Sequence, residues 1–310
     1  MILSVSRRTD IPRFYFDWFL GRLAEKTVLV RNPMNFHQVS EIELSPEVVD
    51  CIVFWSKDPA PMLERLAELE PYTYYIQFTI NPYGRELEQN LPLKEVLVDT
   101  FHRLSDAIGP RRMVWRYSPV LLNDTYTERW HLDAFEALAA KLKGHTDQCT
   151  LSFIDIYKKI KPKTTAHGIF TIADSVKFRM AQSFLKIAAH YQLSLRICGD
   201  TALHAAGFPV AKCIDGKRIA AIANKHFDLK KDRNQPPDCR CVSSIDIGAY
   251  NTCLNGCLYC YANHSSFTTT QRKHQTYDPT SPLLCSSLMP DDKVTKRIVR
   301  AEGSDQMKMF

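Results

Sequence analysis

The chain has 310 residues, which suits one large α/β domain plus an extension, since a single β/α barrel routinely takes about 250. Hydrophobic residues make up 45%, enough for a proper core, yet no run reaches the ~18 apolar residues of a membrane-spanning helix. The balance of 40 Lys and Arg against 34 Asp and Glu is mildly basic and suits an anionic substrate or nucleic acid.

From the amino terminus, "MILSVSRRTDIPRF" offers only a short apolar run before two arginines, which reads as neither signal peptide nor anchor and leads us to expect a cytoplasmic protein. Short β-branched or aromatic runs then alternate with helical periods. The expected strands are 2–6, 27–30, 51–55, 72–80, 112–117, 149–154 and 193–197. Amphipathic segments lie between most of them, such as "FYFDWFLGRLAE", "LKEVLVDTFHRLSDAI" and "SVKFRMAQSFLKIAAHYQ". Seven strands alternating with helices imply parallel pairing, hence an α/β barrel or an open doubly wound sheet. The connection after the second strand suits a small surface hairpin. A charged, Pro-rich linker, "LKKDRNQPPDCRC", precedes one more strand, "VSSIDI". The expected organisation is a β/α barrel over 1–230, a last strand and cysteine loop over 231–264, and a loosely ordered tail over 265–310. Within that tail a short helix is expected around "DKVTKRIVRA".

Barrels carry their chemistry at the carboxyl ends of the strands. In chain order, the expected strands end in Arg7, Arg8, Thr9 and Asp10; Arg31 and Asn32; Ser56, Lys57 and Asp58; Asn81 and Tyr83; Arg116 and Tyr117; Asp155 and Tyr157; Cys198 and Asp200. Polar residues also follow strands simply because loops are solvated. Lys57 and Arg116 stand out because each follows a Trp, Trp55 or Trp115, in an apolar strand where an unpaired cation is costly. A carboxylate such as Asp58, or a bound anion, is the expected partner. With Arg7, Arg8 and Arg31 they would form a basic ring suited to phosphate or carboxylate.

Ten cysteines in a reducing compartment argue against a disulfide framework and for metal ligation where they cluster. Cys51 and Cys149 begin strands and read as buried structural thiols, while Cys285 in the tail is unassigned. The other seven lie at or after the end of the seventh strand. In "CLNGCLYC", Cys253, Cys257 and Cys260 suit three corners of a cubane, with one iron left open. Cys198, Cys213, Cys239 and Cys241 are the right number for a second site, either another iron–sulfur cluster or zinc.

"CLNGCLYCYAN" resembles the cluster loop of radical S-adenosylmethionine (SAM) enzymes, and its "YCYA" is similar to that of spore photoproduct lyase. Together with "SVSRRTDIP", "VRNP", "IVFWSKDP" and "SIDIGAYNTCLNGCLYCYAN", the chain to about residue 264 resembles a bacterial and archaeal domain-of-unknown-function family that carries such a cysteine cluster at its C-terminus. The resemblance implies a [4Fe–4S] cluster on Cys253, Cys257 and Cys260, with SAM on the open iron. It also implies a circularly permuted barrel, because radical SAM enzymes carry this loop after their first strand and here it follows the last. Their Gly-Gly-Glu segment for the SAM amino group has no counterpart; Asp10 and Asn32 are the candidates to replace it, and Tyr259 is a further cofactor-binding candidate.

The expected function is thus a radical-SAM-like iron–sulfur enzyme acting on a small or nucleotide-like anionic substrate. Arg8, Asp10, Lys57, Arg116 and Tyr117 would be its catalytic residues, and flavodoxin or ferredoxin its electron donor. Two other functions fit the composition: a metal-stabilised nucleic-acid or repair-related protein, and an electron carrier without SAM.

Overall fold

The computed structural model describes residues 1–236, 238–263 and 267–304. Its strands are β1 (Ile2–Val5), β2 (Thr27–Arg31), β3 (Gln38–Glu43), β4 (Cys51–Ser56), β5 (Tyr74–Thr79), β6 (Met113–Val120), β7 (Gln148–Phe153), β8 (Ser194–Ile197), β9 (His226–Phe227), β10 (Ile245–Asp246), β11 (Lys293–Lys296) and β12 (Gly303–Ser304). Seven of them form one parallel sheet in the order β10-β1-β4-β5-β6-β7-β8. Here the β-branched and aromatic runs expected as strands do form strands, because residues of both parities find apolar cover.

Alternation divides the sheet into two faces. Ile52, Phe54, Ile76, Phe78, Trp115 and Tyr117 join one large cluster with Phe19, Phe101, Phe135 and Phe184 of the crossover helices. Cys51, Val53, Tyr75 and Val114 point to the opposite face. That second face is covered by Ile219 of the helix Gly216–Ala223 and by Cys213, Ile214, Cys241 and Val242. Each fully buried aromatic or aliphatic side chain contributes about 1.5–3 kcal/mol. Among the described residues no helix is long and apolar enough to cross a membrane.

Two expectations are corrected. The run 27–30 is not part of the parallel sheet: β2 pairs antiparallel with β3, and β11 completes a separate three-stranded sheet. Only Val28 of β2 is fully buried, so this is a half-exposed hairpin strand, which β-branched composition alone does not distinguish from a core strand. The expected tail helix is instead β11, whose "KVTK" runs parallel to β3. The tail is tied back at several points. Asp292 takes both Arg31 Nη1 (2.6 Å) and Nη2 (2.7 Å), and Ser281 O accepts from Trp18 Nε1 at 2.7 Å.

Under the large cluster lies His131, fully buried, its ring between Tyr117 OH (2.7 Å) and Leu121 O (2.7 Å). Burial pushes its pKa down to about 4, against the pull of the Leu121 carbonyl. A histidine depressed in this way stabilises the fold fully above its unfolded pKa, and that contribution is lost as pH falls toward the folded value. Urea denaturation should therefore show stability declining by about 3 kcal/mol from this group between pH 6.5 and pH 4. In His131→Phe that part of the pH slope should vanish, and an unchanged slope would refute the assignment.

Candidate functional site

β10 is only two residues long, yet it fixes where the last cysteines go. It pairs with β1 through Leu3↔Ile245 and Ser4↔Asp246. The Asp246 carboxylate accepts from Ser4 Oγ (2.8 Å), Ser6 Oγ (2.7 Å), Arg7 N (2.7 Å) and Gly248 N (3.0 Å). At Gly248 a Cβ would stand 1.9 Å from Ser6 Oγ, so only glycine permits this approach. The chain then turns over the carboxyl ends of β1, β4 and β5. A second glycine, Gly256, sits between Cys253 and Cys257 at φ +68°, where a side chain would be strained.

Two buried carboxylates hold that loop. Asp10, just past β1, accepts from Ser56 Oγ (2.6 Å), Lys57 N (2.9 Å), Arg13 N (3.2 Å) and Asn255 Nδ2 (2.8 Å). Burial raises its carboxyl above the ordinary range despite these donors. Glu88, after β5, takes Lys57 Nζ at 2.7 Å and also bonds Lys94 Nζ and Tyr259 OH. Asn81 and Lys57 each donate to Tyr259 OH at 3.0 Å. Backbone bonds Leu258 N→Leu87 O (2.9 Å) and Asn90 N→Asn255 O (3.2 Å) complete the anchoring.

Cys253 is buried, and Cys257 and Cys260 are partly so. All three sit on the one loop that Asp10 and Glu88 hold, within electrostatic range of one another. Burial pushes the Cys253 pKa up to about 12 and those of Cys257 and Cys260 upward. Without a bound cation the thiols therefore stay protonated at neutral pH. Lys57 lies within electrostatic reach of both Cys257 and Cys260. Among the described residues no group of three or more His, Cys, Asp or Glu side chains is gathered as around a metal ion.

Beside the loop opens a cleft of about 900 Å³, lined by Arg8, Tyr157, Lys158, Lys159, Tyr250 and Tyr261 among others. Tyr157 and Tyr261 face one another with ring centroids 6.4 Å apart. Arg31 and Asn32 reach the opposite wall from the hairpin.

Several sequence assignments change here. Lys57 pairs with Glu88, not Asp58, which instead meets Arg13 at 3.4 Å. The basic ring is internally compensated: Arg7 lies near Asp232 and Asp246, Arg8 near Asp246, and Arg31 on Asp292. Arg116 finds no carboxylate among the described residues. Its Nη1 donates to Cys213 Sγ at 2.9 Å and its guanidinium lies 5.0 Å from the Trp55 ring centre. Tyr117 is not at the mouth, because strand alternation turns it into the helix-covered core beside His131, where it cannot meet a substrate. Tyr83 is likewise buried, donating to Pro119 O at 2.7 Å. Asp10 and Asn32, the candidates for the SAM amino group, are both engaged. The Asn32 side chain donates to Gln38 Oε1 (2.8 Å) and accepts from Met34 N (2.9 Å). Glu88 escapes sequence reasoning because "GRELEQN" reads as an ordinary polar loop, and Lys94 and Asn255 because nothing local marks their distant partners. Cys51 and Cys149 are buried as expected, and Cys285 lines the cleft. The remaining cysteines, Cys198, Cys213, Cys239 and Cys241, meet over the second face of the sheet.

Searches against curated proteins and against solved structures found no match. A family model matches residues 2–262, a span that ends just beyond Cys260 and encloses all seven clustered cysteines. The chain belongs to the family described as Domain of unknown function (DUF1848).

Proposed function

We propose that this family member is a radical-SAM-like iron–sulfur enzyme, with Cys253, Cys257 and Cys260 holding a [4Fe–4S] cluster over the mouth of a circularly permuted, TIM-like sheet. One observation carries the reading: β10 lies beside β1, so a loop encoded last folds over the carboxyl ends of the earliest strands. Those ends are where β/α barrels do their chemistry. The strand order from β1 to β8 has no reversal and the helices between those strands share one face, which favours a barrel-type winding over a doubly wound one.

The donor set suits the cluster. Three thiols share one buried loop, soft ligands for iron, and the Lys57 ammonium offsets the charge they acquire as thiolates. When bound, the cluster supplies one-electron chemistry at an open iron, fed by a small carrier such as a flavodoxin or ferredoxin in a reducing cytoplasm. The chain's own residues do the rest. Glu88 and Asn81 lock Tyr259 and keep the loop closed against water. The cleft offers tyrosine faces and the ammonium groups of Lys158 and Lys159, which lack a carboxylate partner among the described residues, to an anionic, nucleotide-like substrate. Because Asp10 and Asn32 are engaged elsewhere, neither is assigned a contact with SAM.

Anaerobically purified protein should be brown, with about four irons per chain. After dithionite reduction it should convert SAM to 5′-deoxyadenosine. A brown protein inert toward SAM would instead be an electron carrier, and a colourless protein without iron would sink both readings.

A further inference from the structure

A second sulfur cluster lies away from the mouth loop, on the other face of the sheet. Cys198 follows β8 directly. Cys213 is carried by a segment that continues the sheet edge, with Ala211 N donating to Ile197 O at 2.7 Å. Cys239 and Cys241 come from the Pro-rich linker, which is fastened to the same place by Val242 N→Ile214 O (3.1 Å) and folded on itself by Asp232 N→Cys241 O (3.0 Å). Three separate stretches of chain thus converge with four thiols.

Two of the sulfurs touch: Cys198 Sγ lies 3.5 Å from Cys213 Sγ, and Cys239 and Cys241 pack into the same cluster. Ile214 N donates to Cys241 Sγ at 3.4 Å, and Arg116 Nη1 to Cys213 Sγ at 2.9 Å. Arg7 adds its charge near Cys239. Backbone N–H donors and guanidinium groups aimed at sulfur are what a cluster of thiolates needs around it, and neutral thiols do not call for them.

We infer that Cys198, Cys213, Cys239 and Cys241 form a tetrathiolate site for one soft divalent ion of the zinc class. Spacing decides between zinc and a second cubane. A tetrahedral ion with metal–sulfur bonds of about 2.3 Å holds its thiolates about 3.8 Å apart, close to the Cys198–Cys213 separation. A cubane holds its cysteine sulfurs much farther apart. The one thiol–thiol contact present is Cys198–Cys213, and among the described residues no three ligands yet surround one point. The ion takes the place of the S–H protons, which leave to solvent, and the sulfurs close round it. The resulting dianionic centre is offset in part by Arg116, whose guanidinium has no carboxylate partner among the described residues. Its effect is to cross-link β8 to the segments that cover the second face. This site does not depend on the cubane proposed at the mouth.

Metal analysis of the full chain tests it. The wild type should hold about one zinc per chain, Cys213→Ser should lose it, and Cys257→Ala should keep it whatever happens to iron. Should Cys213→Ser fail to fold, cobalt(II) titrated into zinc-stripped wild type should give the intense thiolate-to-metal charge-transfer band of a four-sulfur site. A wild type with neither zinc nor that band overturns the inference. So does zinc that survives Cys213→Ser, iron that leaves with that substitution, or a disulfide among these four cysteines in the protein as purified.

Discussion

Cys257→Ala should leave the protein colourless, with iron falling from about four per chain to a trace and SAM cleavage falling to background. The argument is one of ligand number. A cubane held by three thiolates keeps one iron open; with two thiolates it is open at two corners and is lost to solvent and oxygen. Cys257 is the middle donor and the one that feels both of its neighbours. The two carboxylates that hold the loop are not free to replace it: Glu88 is engaged by two lysines and a tyrosine, and Asp10 by Ser56, Lys57 and Asn255. The fold should survive, since the loop's hydrogen bonds to Asp10, Leu87 and Glu88 do not pass through the sulfur. Circular dichroism should therefore match the wild type. Undiminished iron in the variant would remove the trio from the cluster altogether.

Glu88→Ala should be the most destabilising single change near the mouth, costing about 3–5 kcal/mol in urea denaturation. Glu88 is 2% exposed and faces two ammonium groups, Lys57 at 2.7 Å and Lys94. Removing it strands buried positive charge and unfastens Tyr259 at once. Burial alone would raise the Glu88 carboxyl, but Lys57 and Lys94 outweigh it and hold the pKa below its ordinary value. Its contribution is therefore present above the ordinary carboxylate range and is lost as pH falls through the lowered folded pKa. Lys57 behaves in the opposite sense. Burial pulls its pKa down, the Glu88 carboxylate outweighs that, and the net shift is upward. Its share holds below the ordinary lysine pKa and is lost as pH rises through the folded one. A double-mutant cycle on Lys57 and Glu88 should show coupling well above the ~1 kcal/mol of an exposed pair. Additive losses would mean that the two charges do not support each other.

Much of this arrangement could be read from residue order. The runs at 51–55, 72–80 and 149–154 announce themselves as strands because both of their faces are buried. The sorting of nine of the ten cysteines into buried pair, mouth trio and second set follows from where each lies relative to a strand; Cys285 is the one it leaves unassigned. What the chain conceals is pairing across distance. Arg7 and Arg8 look like free cations until Asp246, more than two hundred positions later, closes on them. Arg31 looks like a strand-end ligand until Asp292 takes both of its terminal nitrogens. Glu88 lies in a polar stretch with no periodicity, so nothing local marks it as the hub of a buried network. Tyr117 was misplaced for another reason: one residue along a strand reverses the face, and sequence alone does not say where the sheet ends and the loop begins.

The pairing of β1 with β10 also bears on how the protein is made. Ser4 and Asp246 are 242 positions apart, so during translation one edge of the first strand waits without its neighbour until most of the polypeptide has left the ribosome. A strand edge left open for so long invites association with other nascent chains. Prematurely terminated products would present that edge, which makes near-complete synthesis a precondition for closing this side of the sheet.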